Sequence, residues 1–160
     1  MKKFIIQIIV LLVITFGALA YATAKFPQLP FIPQNQKVTE VKIGETLFNV
    51  EIADNTEKRK KGLGGRESLA TGSGMLFVYQ TPDKYIFWMK SVSFPLDFIW
   101  IRSSQVVDII KNVPGAKPGQ SDDELPRYAP NQPVDMILEV NGGFVEAHGI
   151  KVGDKVEIKH

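Results

Sequence analysis

From Val38 to Ile158 the chain is a succession of short β-branched and aromatic runs, each stopped by Gly, Pro or Ser before it reaches helical length. Val38 to Ile43 and Thr46 to Ile52 flank Gly44-Glu45, a spacing that predicts a β-hairpin. Asp54-Asn55-Thr56 supplies N-caps for a short helix over Glu57 to Leu63, which Gly64-Gly65 stops. Strands are expected again at Met75 to Tyr79, Tyr85 to Lys90, Leu96 to Ile101 and Val106 to Val113, as antiparallel neighbours. The proline-rich stretch from Pro114 to Pro133 is long enough for a functional loop. Val134 to Val140 is a further strand, Gly142 to Gly149 has room for a helical turn, and Val152 to Ile158 ends in a turn and a last strand. Runs this short bury little singly and must share one sheet. The fold class is α+β, mainly β: a compact barrel-like or strongly bent antiparallel sheet with one or two short helices, without the βαβ rhythm of a doubly wound fold.

The N-terminus has a different character. Phe4 to Ala22 spans nineteen positions of which only Gln7 and Thr15 are plainly polar, and Lys2-Lys3 precede it. A positive n-region before an apolar h-region marks an export segment. Ala22-Thr23-Ala24 fits a small-x-small cleavage site, whereas the length also suits a membrane-spanning anchor. Residues 1–24 are therefore expected to be a signal peptide or N-terminal membrane anchor, which places the rest outside the cytoplasm. If the segment is retained, the membrane is a partner and Lys2 and Lys3 stay on its cytoplasmic side. Residues 25–37, with Pro27, Pro30 and Pro33 among Gln28, Gln34 and Gln36, read as a linker, and residues 38–160 as a single globular domain.

Charge and cysteine content exclude several functions. Without Lys2 and Lys3, seventeen basic residues face seventeen acidic ones, so the remainder is formally neutral and lacks the footprint of a nucleic-acid binder. Lys58-Arg59-Lys60-Lys61 reads as a solvated helix face. With no cysteine there is no disulfide, thiol chemistry or cysteine zinc site.

Two carboxylates stand out against their strands. Alternation places Asp97 with Ile99 and Ile101, opposite Leu96, Phe98 and Trp100, and places Glu139 with Ile137 and Asp135. A buried carboxylate takes a partner or a proton, because desolvating its charge costs several kcal/mol. Lys90 and Arg66 are the candidate cations. The same alternation sets Tyr85, Phe87 and Met89 against Ile86, Trp88 and Lys90, so one tryptophan can line a cleft.

Gly74-Met75-Leu76-Phe77, Phe87-Trp88-Met89-Lys90, Leu96-Asp97, Leu138-Glu139, Gly149-Ile150 and Gly153-Asp154 resemble, in order and spacing, the bacterial and archaeal domain of unknown function family 192, also called uncharacterised protein family 0127. The resemblance runs from about Val38 to Ile158 and implies a small β-rich domain behind a signal or anchor. Where such proteins often carry Asn-Thr after Trp-Met-Lys, this chain has Ser91-Val92; where they carry Gly-Leu-Met-x-Arg, it has Gly62-Leu63-Gly64-Gly65-Arg66. The family has no assigned activity, so the resemblance implies positions and no reaction.

Other chemistries fit poorly. Ser73 lacks the glycines of a nucleophile elbow, His148 is a lone internal histidine, and Asp122-Asp123-Glu124 lacks the alternation of a calcium loop. Gly62 to Gly65 sits at a helix end, away from phosphate-binding amides. No metal and no cofactor is expected. The reading is an extracytoplasmic domain binding a small-molecule or carbohydrate ligand, or an envelope partner, with Arg66, Trp88, Lys90, Asp97 and Glu139 as candidates. Two alternatives remain: a hydrolase of envelope carbohydrate with Asp97 and Glu139 as its carboxylate pair, and a structural interaction module.

Overall fold

The computed structural model describes residues 38–159; the expected leader (1–24) and linker (25–37) lie outside the described residues. Strands β1 (Val38–Ile43) and β2 (Thr46–Ala53) form the expected hairpin, with Ile43 beside Thr46 and Gly44 at φ 59° in the turn. Helix α1 (Thr56–Lys61) starts at Asn55, whose side chain accepts from Lys58 N–H (2.9 Å), and is capped by Gly62, two residues earlier than expected. The chain then returns as β3 (Ser73–Asp83), parallel to β2 with Val50 beside Gly74. This single βαβ crossover departs from the all-antiparallel expectation. Only a connection as long as residues 54–72 can bring the chain back in the same direction, and a six-residue helix inside it left no strong rhythm to read.

Strands β4 (Leu96–Arg102), β5 (Gln105–Val113), β6 (Val134–Asn141) and β7 (Val156–Lys159) complete one seven-stranded sheet in the order β5-β4-β6-β3-β2-β1-β7. A 3-10 turn (Asp122–Glu124) lies in the long loop, and helix α2 (Phe144–Ala147) follows β6. The sheet curls into a half-barrel, as the mainly β reading requires. Its edge strands approach at one end, where Gln105 bridges Lys155 and Val106 N–H donates to Asp154 O (2.9 Å). Among the described residues no helix is long and apolar enough to cross a membrane.

Alternation in β4 sorts two cores. Ile99 and Ile101 join Val41, Val50, Leu76, Leu138, Val140 and Phe144 inside the curl. Leu96, Phe98 and Trp100 join Met75, Phe77, Phe87, Met89 and Ile137 on the outer face. Because both faces are covered, β4 is buried from Leu96 to Ile101, which explains its unbroken apolar character.

Tyr85 to Lys90 is not a strand of the sheet. It crosses over the outer face, and among the described residues its one backbone bridge is that of Phe87 to Tyr128 in the long loop (2.8 and 2.9 Å). The expected alternation persists, with Phe87 and Met89 buried and Ile86 and Lys90 exposed, because an extended segment lying on a sheet has the same two-residue period as one within it. Glycines permit the close crossings: a Cβ on Gly115 would stand 2.5 Å from Ser93 O, and one on Gly74 2.7 Å from Glu139 O.

Candidate functional site

Glu139 stands in β6 between Met75 of β3 and Phe98 of β4, in register with both, so its side chain emerges on the outer face among aromatic residues. It is 5% exposed, and among the described residues no hydrogen bond or ion pair reaches its carboxyl group. Burial pushes its pKa up to about 8, so the group carries a proton at neutral pH.

Above it opens a cleft of about 100 Å³. Phe77, Phe87 and Leu96 supply apolar wall, Tyr79 and Trp88 supply amphipathic wall, and Gly62 to Gly64 form one side. Tyr79 stacks on Tyr85 with ring centroids 3.5 Å apart, and burial raises its pKa to about 12, which keeps the phenol neutral. The cations come from two elements. Arg59, Lys60 and Lys61 reach the cleft from α1, and Lys90 from the crossing segment. Arg59 donates to Val78 O (2.9 Å) and lies 4.8 Å from the Tyr79 ring centre, while Lys60 and Lys61 have no partner among the described residues. The basic run thus does more than face solvent.

Trp88 carries the Arg127 guanidinium 3.6 Å from its ring centre and the Lys90 ammonium at 5.3 Å. Lys90 also pairs with Asp122, and Arg127 donates to Asp122 O (3.3 Å), so the long loop is fastened to the crossing segment beside the cleft. Cation–π contact and ion pairing together fix the tryptophan. With a guanidinium already on the ring, Trp88 is a poor platform for stacking a sugar.

Of the five residues singled out in the sequence, Trp88, Lys90 and Glu139 line this cleft; Asp97 and Arg66 do not. Neither carboxylate takes the cation expected for it. Asp97, fully buried on the opposite face, accepts from three backbone amides: Asn112 (2.7 Å) and Gly143 (3.1 Å) at Oδ1, and Val145 (2.8 Å) at Oδ2. Gly143 and Val145 open α2, where unpaired N–H groups await an acceptor, so the carboxylate needs no cation. Arg66 instead holds Glu51 with two bonds of 2.6 Å, and this pairing raises its pKa. The carboxylate pair suggested for glycan hydrolysis therefore does not exist: a sheet separates its members.

The cleft contributors missed in the sequence include Arg59, Lys60, Lys61, Phe77 and Tyr79. Only the basic run was visible there, and nothing in it indicated which way the helix would turn. Among the described residues no group of three or more His, Cys, Asp or Glu is placed to hold a metal ion.

Residues 38–158 match the model of domain of unknown function family 192, described as Uncharacterized ACR. The chain belongs to this family. Two crystal structures resemble the family-192 domain. One, from Novosphingobium aromaticivorans, is a protein of unknown function, 29% identical over 83% of this chain and 94% of its own, with a TM-score of 0.69. The other, from Sinorhizobium meliloti and named provisionally as a transcription regulator, is 28% identical over 77% of this chain and 95% of its own, with a TM-score of 0.68. No curated protein matches the sequence.

Proposed function

We propose that this family-192 protein is an extracytoplasmic domain that binds a small ligand in the cleft above Glu139. One observation carries the reading: an almost fully buried carboxyl group, without a partner among the described residues, lines an open, aromatic-walled cleft. Asp97, the other buried acid among the described residues, is by contrast answered by three backbone amides. A desolvated acid held at a cleft, with a raised pKa, is where ligand chemistry is expected.

Placement outside the cytoplasm is supported by the charged and apolar sequence of residues 1–24. Formal neutrality of the remainder argues against DNA as its partner. The regulator name borne by the relative from Sinorhizobium meliloti is accordingly left with that protein.

Two experiments test the proposal. Native purification followed by mass spectrometry should recover a small molecule that the Glu139→Leu variant lacks; identical spectra from both proteins would remove the cleft as its site. A fusion of the full chain to a reporter enzyme active only outside the cytoplasm should be active, and an inactive but expressed fusion would overturn the location.

A further inference from the structure

We propose that the cleft above Glu139 selects a small anion with an apolar body, a short-chain carboxylate being the simplest, one of whose oxygens accepts the Glu139 hydrogen. This rests on the reading of the cleft as a ligand site and adds the chemical class. A neutral carboxyl group offers one O–H donor, so it complements an acceptor oxygen, and the bond strengthens when that acceptor is charged.

The charges around the cleft point the same way. From α1 come Arg59, Lys60 and Lys61; from β3 the neutral phenol of Tyr79; from the crossing segment Lys90; from β4 only the apolar Leu96. Among the described residues Glu139 is the one acid in the lining. A cationic ligand would meet Arg59, Lys60 and Lys61 with no ionised carboxylate among the described lining residues, the fourth cation, Lys90, being already paired with Asp122. An uncharged one would forgo the attraction of Lys60 and Lys61, which have no partner among the described residues. The walls and size restrict the anion further. A volume near 100 Å³ bounded by Phe77, Phe87 and Leu96 suits a few carbons better than a strongly hydrated dianion.

The test uses the full-length chain and three probes of matched size: butyrate, n-butylamine and 1-butanol. Binding is read from the indole N–H signals of the two tryptophans by NMR titration. Near pH 6.5, butyrate should shift the Trp88 signal saturably and bind about tenfold more tightly than either other probe. Raising the pH to about 9.5 should weaken butyrate about 30-fold, the factor by which ionisation depletes the neutral carboxyl. Glu139→Gln, whose amide still donates, should retain butyrate and lose most of that pH dependence, and Glu139→Leu should lose butyrate. Butylamine or butanol binding as tightly as butyrate would overturn the anion assignment while leaving the cleft a ligand site. Silence of Trp88 toward all three probes would overturn it as well, and the broader ligand reading would then stand or fall on the mass spectrometry alone.

Discussion

Asp97 and Glu139 point to opposite faces of the sheet, because the residue beside Glu139 in the β4–β6 register is Phe98. One strand step thus separates two buried carboxyl groups into two environments. Asp97 meets the opening amides of α2 and the Asn112 amide at the end of β5. Glu139 meets aromatic rings and a cleft, and answers the same desolvation problem by keeping its proton. The first arrangement builds the fold; the second leaves chemistry available to a ligand.

Replacing Asp97 should therefore act on stability. Asp97→Asn puts an N–H₂ group where one of two acceptor oxygens stood, leaving at least one buried backbone amide without a partner. A loss of about 2 to 4 kcal/mol is expected in urea unfolding, given the worth of hydrogen bonds to charged groups. The Trp88 indole signal should stay in place. A loss below about 0.5 kcal/mol would mean that water or a backbone shift replaces the lost acceptor.

The crossing of the long loop beneath Ser93 makes a second prediction. Ala116 N–H donates to Val92 O (2.7 Å), which draws Gly115 so close that a Cβ there would stand 2.5 Å from Ser93 O. Backbone cannot yield as a side-chain tip does. Gly115→Ala should cost about 1 to 3 kcal/mol by overpacking. A variant unfolding at the parent denaturant midpoint would show that the loop moves aside freely.

Much of this fold was legible in the chain because strand alternation survives wherever a segment has two different sides. The hairpin at Gly44, the faces of β4 and the helix after Asn55 could all be read from spacing. What spacing cannot supply is which strands are neighbours. The insertion of β6 between β3 and β4 depends on contacts distant in sequence, and so does the parallel return of β3 along β2. The same limit applied to the site. Trp88, Lys90 and Glu139 could be named individually, but the lack of a cation for Glu139 and the amide cradle for Asp97 follow from register and from the placement of α2. Tyr85 to Lys90 reads as a ladder strand in the sequence because its period is that of extended backbone, whatever its hydrogen bonds.

Arg66 is expected to contribute through geometry as well as charge. Its two bonds to Glu51 join the start of the chain after α1 to β2, with the side chains 28% and 20% exposed. A lysine cannot reproduce the planar fork. Arg66→Lys should lower stability by about 1 kcal/mol, and a double-mutant cycle with Glu51→Gln should return a coupling of about 1 to 2 kcal/mol. A coupling near zero would reduce the pair to an ordinary surface contact.

The last prediction concerns the pH dependence of folding, and its sign follows from the proton on Glu139. In the folded protein the pKa is about 8, raised by burial from the ordinary glutamate value of 4.5. Between those two values the unfolded chain has released the proton and the folded one still holds it, so the folded state binds more protons. Stability must then fall as pH rises across this window, by up to about 1.4 kcal/mol per pH unit from this group. Below the unfolded pKa the contribution is complete; above the folded pKa it is gone, and the ionised group destabilises the fold. Glu139→Gln keeps the size and polarity without a titrating proton. Its unfolding free energy should match the parent near the low end of the window and exceed it near pH 8, measured by urea titration at a series of pH values. Parallel profiles for the two proteins would show that Glu139 is ionised in the fold and paired through a rearrangement of Lys90 or Lys61.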